Sequence, residues 1–208
     1  MKIFVTGIEG SGKNSLAKEL ASELNISLID QQYTDVATSY LGMIQTTGQT
    51  NASDMRKQFV QKSLQWLSKL DTHLKESDVI LHRSCIDVAS LWLANNIGQA
   101  RPDVFLQLLD ICQKQMSKID YLILCPGYNY EISADLKDQS IPANQETYQK
   151  IKLNSILLGL LGQYDTKKIV LIPNSLVAIE DRKKFVLEKI IWVNLACQRF
   201  YTGKLMMK

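Results

Sequence analysis

Nine consecutive residues near the N-terminus, Gly7-Ile8-Glu9-Gly10-Ser11-Gly12-Lys13-Asn14-Ser15, carry the strongest chemical signal in the chain. Glycines at 7, 10 and 12 let successive backbone N–H groups turn inward as an anion nest, and Lys13 adds a mobile positive charge able to reach β- and γ-phosphates. The spacing nearly matches GxxxxGK[ST], the Walker A pattern, which needs a buried strand before it and an amphipathic helix after it. A triphosphate site is the expectation, formed by Gly7, Gly10, Ser11, Gly12, Lys13, Asn14 and Ser15. The departure is at the metal position: Asn14 stands where a hydroxyl would ligate Mg2+. Its amide oxygen is still a hard donor, and the hydroxyl of Ser15 follows at once, so both are expected metal ligands.

A second stretch, His82-Arg83-Ser84-Cys85-Ile86-Asp87, holds a histidine, an arginine and a carboxylate just after a predicted strand. Arginine is scarce here, with only Arg56, Arg83, Arg101, Arg182 and Arg199 against 24 Lys plus Arg in total. Because Arg is the bidentate clamp for phosphate, each of the five is a candidate.

The flanking sequence supplies the elements that must position these groups. Lys2 to Thr6 is a short β-branched and aromatic run that predicts a buried strand. Leu16, Leu20 and Leu24 recur every four residues, so about Lys13 to Leu24 predicts an amphipathic helix. Further strands are predicted at Ile26–Asp30, Asp78–Leu81, Tyr121–Cys125 and Lys168–Ile172. Helices are predicted around Val36–Met43, from an N-cap at Ser53 onward with Met55, Phe59, Leu67, Leu70 and Leu74 on its apolar face, and at Cys85–Asn95. Three more are predicted from Pro102 to about Lys118, about Asn144 to Gly162, and Ser175 to about Tyr201. Residues 127–146 read as a polar, turn-rich excursion and 204–208 as a frayed tail. Strands alternating with crossover-length helices predict one α/β domain over 1–208: a five-stranded parallel sheet between two helical layers. In such sheets ligands lie beyond the carboxyl ends of the strands. That singles out residues 7–15, Asp30, His82 to Asp87, the stretch from Cys125 and the stretch from Pro173.

Composition narrows the class. The chain has 208 residues, 46% hydrophobic and 22% charged, with a net charge of +3, which excludes disordered and collagen-like chains and does not by itself indicate nucleic acid. Cys85, Cys112, Cys125 and Cys197 are scattered with no CxxC pair, and no membrane span is apparent, so a cytoplasmic protein is expected.

With the loop and its flanks in view, the chain resembles the P-loop nucleoside and nucleotide kinases, in particular the small AAA-type domains similar to ribosylnicotinamide kinase, which also carry an acidic residue within the loop, as Glu9 does here. The resemblance implies a sheet in the order 2-3-1-4-5, ATP with Mg2+, an acceptor pocket over strands two and three, and a lid after strand four at about 127–146. It also implies that His82-Arg83-Ser84…Asp87 corresponds to an Asp-Arg-Ser…Asp motif, with His82 replacing the first acid and available to accept a hydroxyl proton. Arg83 would contact acceptor phosphate or the transferring group. Asp30 would bind or deprotonate the acceptor, with Asp35 as second choice and Asp87 on the same side. The lid contains Lys137 in place of arginines, Arg101 is an alternative cation, and Tyr128 and Tyr130 are candidates for base stacking. Asn174 and Ser175 lie where adenine would rest. The expected activity is transfer of the γ-phosphoryl of ATP to a hydroxyl or phosphate of a nucleoside, nucleotide or similar acceptor. A narrower version makes the acceptor a hydroxymethylated base in DNA, as in kinases of phage base modification. The rival reading, from Asn14, His82 and a lid without arginine, is a nucleotide-binding regulatory module without catalysis. The expected partner is a nucleotide-like small molecule, with a DNA base and a second copy of the chain as further candidates and no membrane.

Overall fold

The computed structural model describes residues 1–29, 33–45, 52–75, 78–127 and 143–190. Five strands, β1 (Lys2–Thr6), β2 (Ser27–Ile29), β3 (Val79–His82), β4 (Tyr121–Leu124) and β5 (Ile169–Leu171), form one sheet in the order β2-β3-β1-β4-β5. Every pairing is parallel, with Lys2 opposite Val79 and Ile3 opposite Tyr121, so the strands share one carboxyl edge.

Helices cover both faces, and that explains why the strands are apolar runs and do not alternate with polar residues. Ile3, Val5, Ile80 and Ile123 face α1 (Lys13–Leu24) and α8 (residues 179–190), packing with Leu16, Leu20, Val186 and Ile190. Phe4, Leu81, Leu122 and Leu124 face the opposite layer, which contains α3 (Ala52–His73), α4 (Cys85–Ala94), α6 (Pro102–Lys118) and α7 (Ala143–Leu161). α2 (Thr34–Gln45) packs on α3, and the one-turn α5 (Ile97–Ala100) lies between α4 and α6. Within this layer Trp92 is fully buried and donates its indole N–H to Ser63 Oγ at 3.2 Å, while that hydroxyl donates to Phe59 O at 2.8 Å. The indole dipole is thereby satisfied inside the core.

Several boundaries differ from expectation. α3 already includes Ala52, so Ser53 lies in its first turn and does not cap it. The stretch between Asn95 and Pro102 contains α5, started by Asn96 in the left-handed conformation. β5 begins at Ile169 because Asp165 accepts the Lys167 N–H and closes a 3-10 turn over Thr166–Lys168. α8 begins at 179, since the chain from Pro173 first makes a turn closed by Leu176 N–H on Pro173 O at 3.1 Å. Among the described residues no helix is long and apolar enough to cross a membrane.

Core position and surface position should separate cleanly in stability. Leu70 is fully buried and Leu106 is 66% exposed. Leu70→Ala is expected to lower the urea-unfolding free energy by about 2–5 kcal/mol, and Leu106→Ala to change it by less than about 0.5 kcal/mol. Equal losses for the two variants would contradict this packing.

Candidate active site

The sheet order delivers the site. β1 is central, so the loop leaving it meets the chain leaving β3 on one side and β4 on the other. Gly7 has φ of 146°, and a Cβ there would lie 2.8 Å from the Cys125 carbonyl oxygen, so only glycine lets the loop pass the end of β4. Gly12 is the N-cap of α1 in the left-handed region at φ 78° and has no side chain with which to cap the helix. The first turn of α1 contains no acidic residue, which leaves its positive end open to an external anion.

Lys13 is buried, at 3% exposure, and donates from Nζ to Ile8 O at 2.9 Å, folding over the loop it belongs to. Burial, and secondarily the Arg83 charge, lower its pKa to about 8. Asn14 and Ser15 are exposed on the first turn of α1, so an amide oxygen and a hydroxyl stand beside the loop as hard donors fit for Mg2+. Among the described residues no cluster of three His, Cys, Asp or Glu side chains could hold a metal by itself. Any cation here would share its coordination with phosphate oxygens and water.

The other side of the site is organised by Asp87. Its Oδ2 accepts from Ser84 N–H at 2.7 Å, Ser84 Oγ at 2.8 Å and the Thr6 hydroxyl. Its Oδ1 lies 3.7 Å from Arg83 Nη1, and the Arg83 guanidinium stacks 4.3 Å from the centre of the Tyr33 ring. Arg83 adopts φ of 73°, a left-handed conformation costly for a non-glycine residue, stored where the chain turns from β3 into α4. Tyr33 also meets Trp66 edge-on at 5.0 Å, and its buried hydroxyl is held well above the usual phenol range by desolvation.

Between these halves lies a cavity of about 100 Å³. Gly7, Ile8 and Glu9 form one wall, Arg83 and Asp87 another, and Tyr33, Tyr40, Leu153 and Leu157 close it.

The structure thus brings together the Gly7–Ser15 loop, including Glu9, with Arg83 and Asp87. Among the described residues, His82, Asp35, Arg101 and Asn174 do not line this cavity. His82 follows the alternation of β3 and takes the side of Ile80, towards α1, whereas Leu81 takes the cavity side. Asp35 is exposed, 4.0 Å from Lys62 Nζ. Arg101 is exposed on Asp103 at 3.1 Å, and Asn174 is exposed in the turn after β5. Asp30, Lys137, Tyr128 and Tyr130 lie outside the described residues. Cys85, Cys112 and Cys125 are buried free thiols; burial pushes Cys125 up to about 12 and makes it a poor nucleophile. Sequence reasoning missed Thr6 and Tyr33, although Thr6 was legible as the hydroxyl ending β1 on the cavity-facing parity. Arg182, one of the five candidate phosphate clamps, is buried and donates to Ser11 O of the loop at 2.9 Å.

The buried ammonium makes a pH-dependent prediction. Lys13 has a folded pKa of about 8 against an ordinary 10.5, so its desolvation opposes folding fully below pH 8 and ceases to do so as pH rises to 10.5. Lys13→Met is expected to stabilise the ligand-free protein at pH 7 by roughly 2 kcal/mol, after allowing for the lost hydrogen bond, and the gain should fade between pH 8 and 10. Parallel urea titrations of both proteins test this; a gain independent of pH would refute it.

No protein-family model matches the chain, and no curated protein matches it. Solved structures do. Deoxyadenosine kinase from M. mycoides with bound dCTP superposes with a TM-score of 0.63 at 15% identity, covering 91% of this chain and 98% of that one. Thymidylate kinase from Candida albicans gives 0.53 at 17% identity, covering 93% and 91%. NadR protein in complex with NR gives 0.52 at 14% identity, covering 91% of this chain and 50% of that one. The five-stranded parallel sheet in 2-3-1-4-5 order, with a glycine-rich loop after its central strand, therefore has the fold of the P-loop nucleoside and nucleotide kinases.

Proposed function

We propose that the protein is an ATP-dependent phosphotransferase of the cytoplasm that moves the γ-phosphoryl group to a hydroxyl or phosphate of a nucleoside, a nucleotide or a similar small acceptor. The observation that carries this reading is the cavity: one wall is the phosphate loop itself and the facing wall holds a guanidinium, so an acceptor filling it would meet both the donor phosphates and a neutralising cation. The similarity in fold to kinases acting on nucleosides and nucleotides supports the same class of acceptor.

The loop amides, the open N-terminus of α1 and the Lys13 ammonium would hold the β- and γ-phosphates. Lys13 would exchange its contact with Ile8 O for phosphate oxygen, regaining as a charge partner what burial had cost it. Asn14 Oδ1 and Ser15 Oγ would hold Mg2+, directly or through water. When bound, that ion supplies further neutralisation of phosphoryl charge. Asn174, in the turn after β5, would lie beside the adenine. Arg83, fixed from two sides by Tyr33 and Asp87, would offer its remaining donors to acceptor phosphate or to the transferring group without reorganising. Asp87 is then a positioning residue, fully engaged with Thr6, Ser84 and Arg83. The acceptor hydroxyl would be oriented by Asp30, or by Glu9 from the cavity wall. His82, on the other face of β3, is assigned no contact with the acceptor.

The test is transfer from γ-labelled ATP to a panel of ribo- and deoxynucleosides and their monophosphates. A labelled product is expected that requires Mg2+, is lost in Lys13→Ala, and forms with kcat/KM lower by roughly 10²–10³-fold in Arg83→Met. Label on DNA that survives digestion as a phosphorylated nucleoside would move the acceptor into the polymer. ATP binding without Mg2+ dependence and without transfer to any acceptor would replace this reading with the non-catalytic module.

A further inference from the structure

Arg182, in the first turn of α8, has no exposed surface and is among the largest fully buried side chains of the protein. Arginine is seldom fully buried unless its donors are matched, because removing the cation from water is costly. Here Nε donates to Leu176 O at 2.7 Å, in the turn between β5 and α8, and Nη1 donates to Ser11 O at 2.9 Å, in the phosphate loop 171 residues away in sequence.

The Ser11 bond fixes a direction. All peptide bonds described are trans, so the C=O of Ser11 and the N–H of Gly12, which share one rigid plane, point opposite ways. With the carbonyl drawn back onto the guanidinium, the Gly12 N–H is turned forward, away from Arg182 and out of the loop at the N-cap of α1. Gly12, at φ 78°, accepts that orientation without a Cβ penalty. A charged donor on the carbonyl also polarises the same peptide and strengthens its N–H as a donor. The guanidinium thus backs the loop with a second buried cation besides Lys13.

We propose that Arg182 is a positioning residue that holds the Ser11–Gly12 peptide with the Gly12 N–H aimed at the bound phosphate, and that ties this peptide to the turn after β5. The proposal rests on the reading of Gly7–Ser15 as a phosphate loop and adds to it a residue that touches no substrate. Because the same guanidinium grips Leu176 O, the phosphate loop and the segment where the base would rest are fixed by one side chain. Lysine retains the charge and loses the planar fork that spans the two carbonyls, and methionine loses both.

The experiment compares wild type, Lys13→Ala, Arg182→Lys, Arg182→Met and the core control Leu70→Val. Dissociation constants for ATP and for inorganic tripolyphosphate are measured by calorimetry, with urea stability recorded for each protein. Both ligands are expected to bind wild type, and both Arg182 variants should weaken both by roughly 10- to 100-fold, the loss of one or two charged hydrogen bonds. Leu70→Val, destabilised without contact to the loop, should bind as wild type. Folded Arg182 variants with unchanged affinities overturn the proposal, as does an equal loss of affinity in Leu70→Val. Should neither Arg182 variant fold, the wild type labelled with ¹⁵N-glycine decides: tripolyphosphate must shift the Gly12 amide proton downfield, and an unmoved Gly12 amide overturns the proposal. Failure of wild type to bind either ligand, with Lys13→Ala indistinguishable from it, overturns the phosphate-loop reading itself and this proposal with it.

Discussion

One carboxylate holds the two halves of the candidate site in register. Asp87 Oδ2 receives the hydroxyl of Thr6, the last residue of the central strand, together with both the amide and the hydroxyl of Ser84 at the start of α4. Its other oxygen faces Arg83. The carboxyl group is buried, so its oxygens depend on these donors in place of water, and the donors in turn are held where it accepts them. The parallel pairing of β1 with β3 brings the two chain segments to the same sheet edge, and Asp87 joins them there. The left-handed Arg83 is tolerated because its side chain is fixed from both sides.

Three charged groups are buried around one loop: Lys13, Arg182 and Asp87. Interiors avoid charges, so such a concentration is a stability cost unless function repays it. The three are not equivalent. Asp87 and Arg182 are held by fixed partners within the protein: Asp87 by Ser84 and Thr6, Arg182 by the carbonyls of Ser11 and Leu176. Lys13 has one backbone acceptor and a pKa lowered to about 8, which marks a cation held short of its best partner. A phosphate would supply that partner, and the open end of α1 supplies the field into which it would settle.

Much of this architecture is legible in the sequence. The runs Lys2–Thr6 and Tyr121–Leu124 are strands because they are uninterrupted apolar segments of the right length, and the Leu16, Leu20, Leu24 spacing marks α1. Helix ends were less legible. Ser53 is a good capping residue type, yet α3 begins before it, and the Pro173 turn delays α8 to residue 179. Such ends are decided by a few hydrogen bonds, worth about 1 kcal/mol each, that periodicity does not encode.

The sequence alone determined the local pattern: a glycine-rich loop ending in Lys13, set between a strand and an amphipathic helix, reads as a candidate anion site because glycines let its backbone N–H groups turn inward at a helix N-terminus. It also determined the layer architecture, since strands buried on both faces need helices on both. Tertiary structure decided which distant side chains reach that loop. His82 and Arg83 are neighbours in sequence, but the two-residue period of β3 sends His82 to the α1 side, while the turn after the strand carries Arg83 to the cavity. Arg182 was one arginine among five, and only the packing of α8 on the sheet, across 171 residues of chain, puts its guanidinium on Ser11 O. Contacts of that kind follow from the positions of whole elements, and a residue's own neighbourhood in the sequence carries no trace of them.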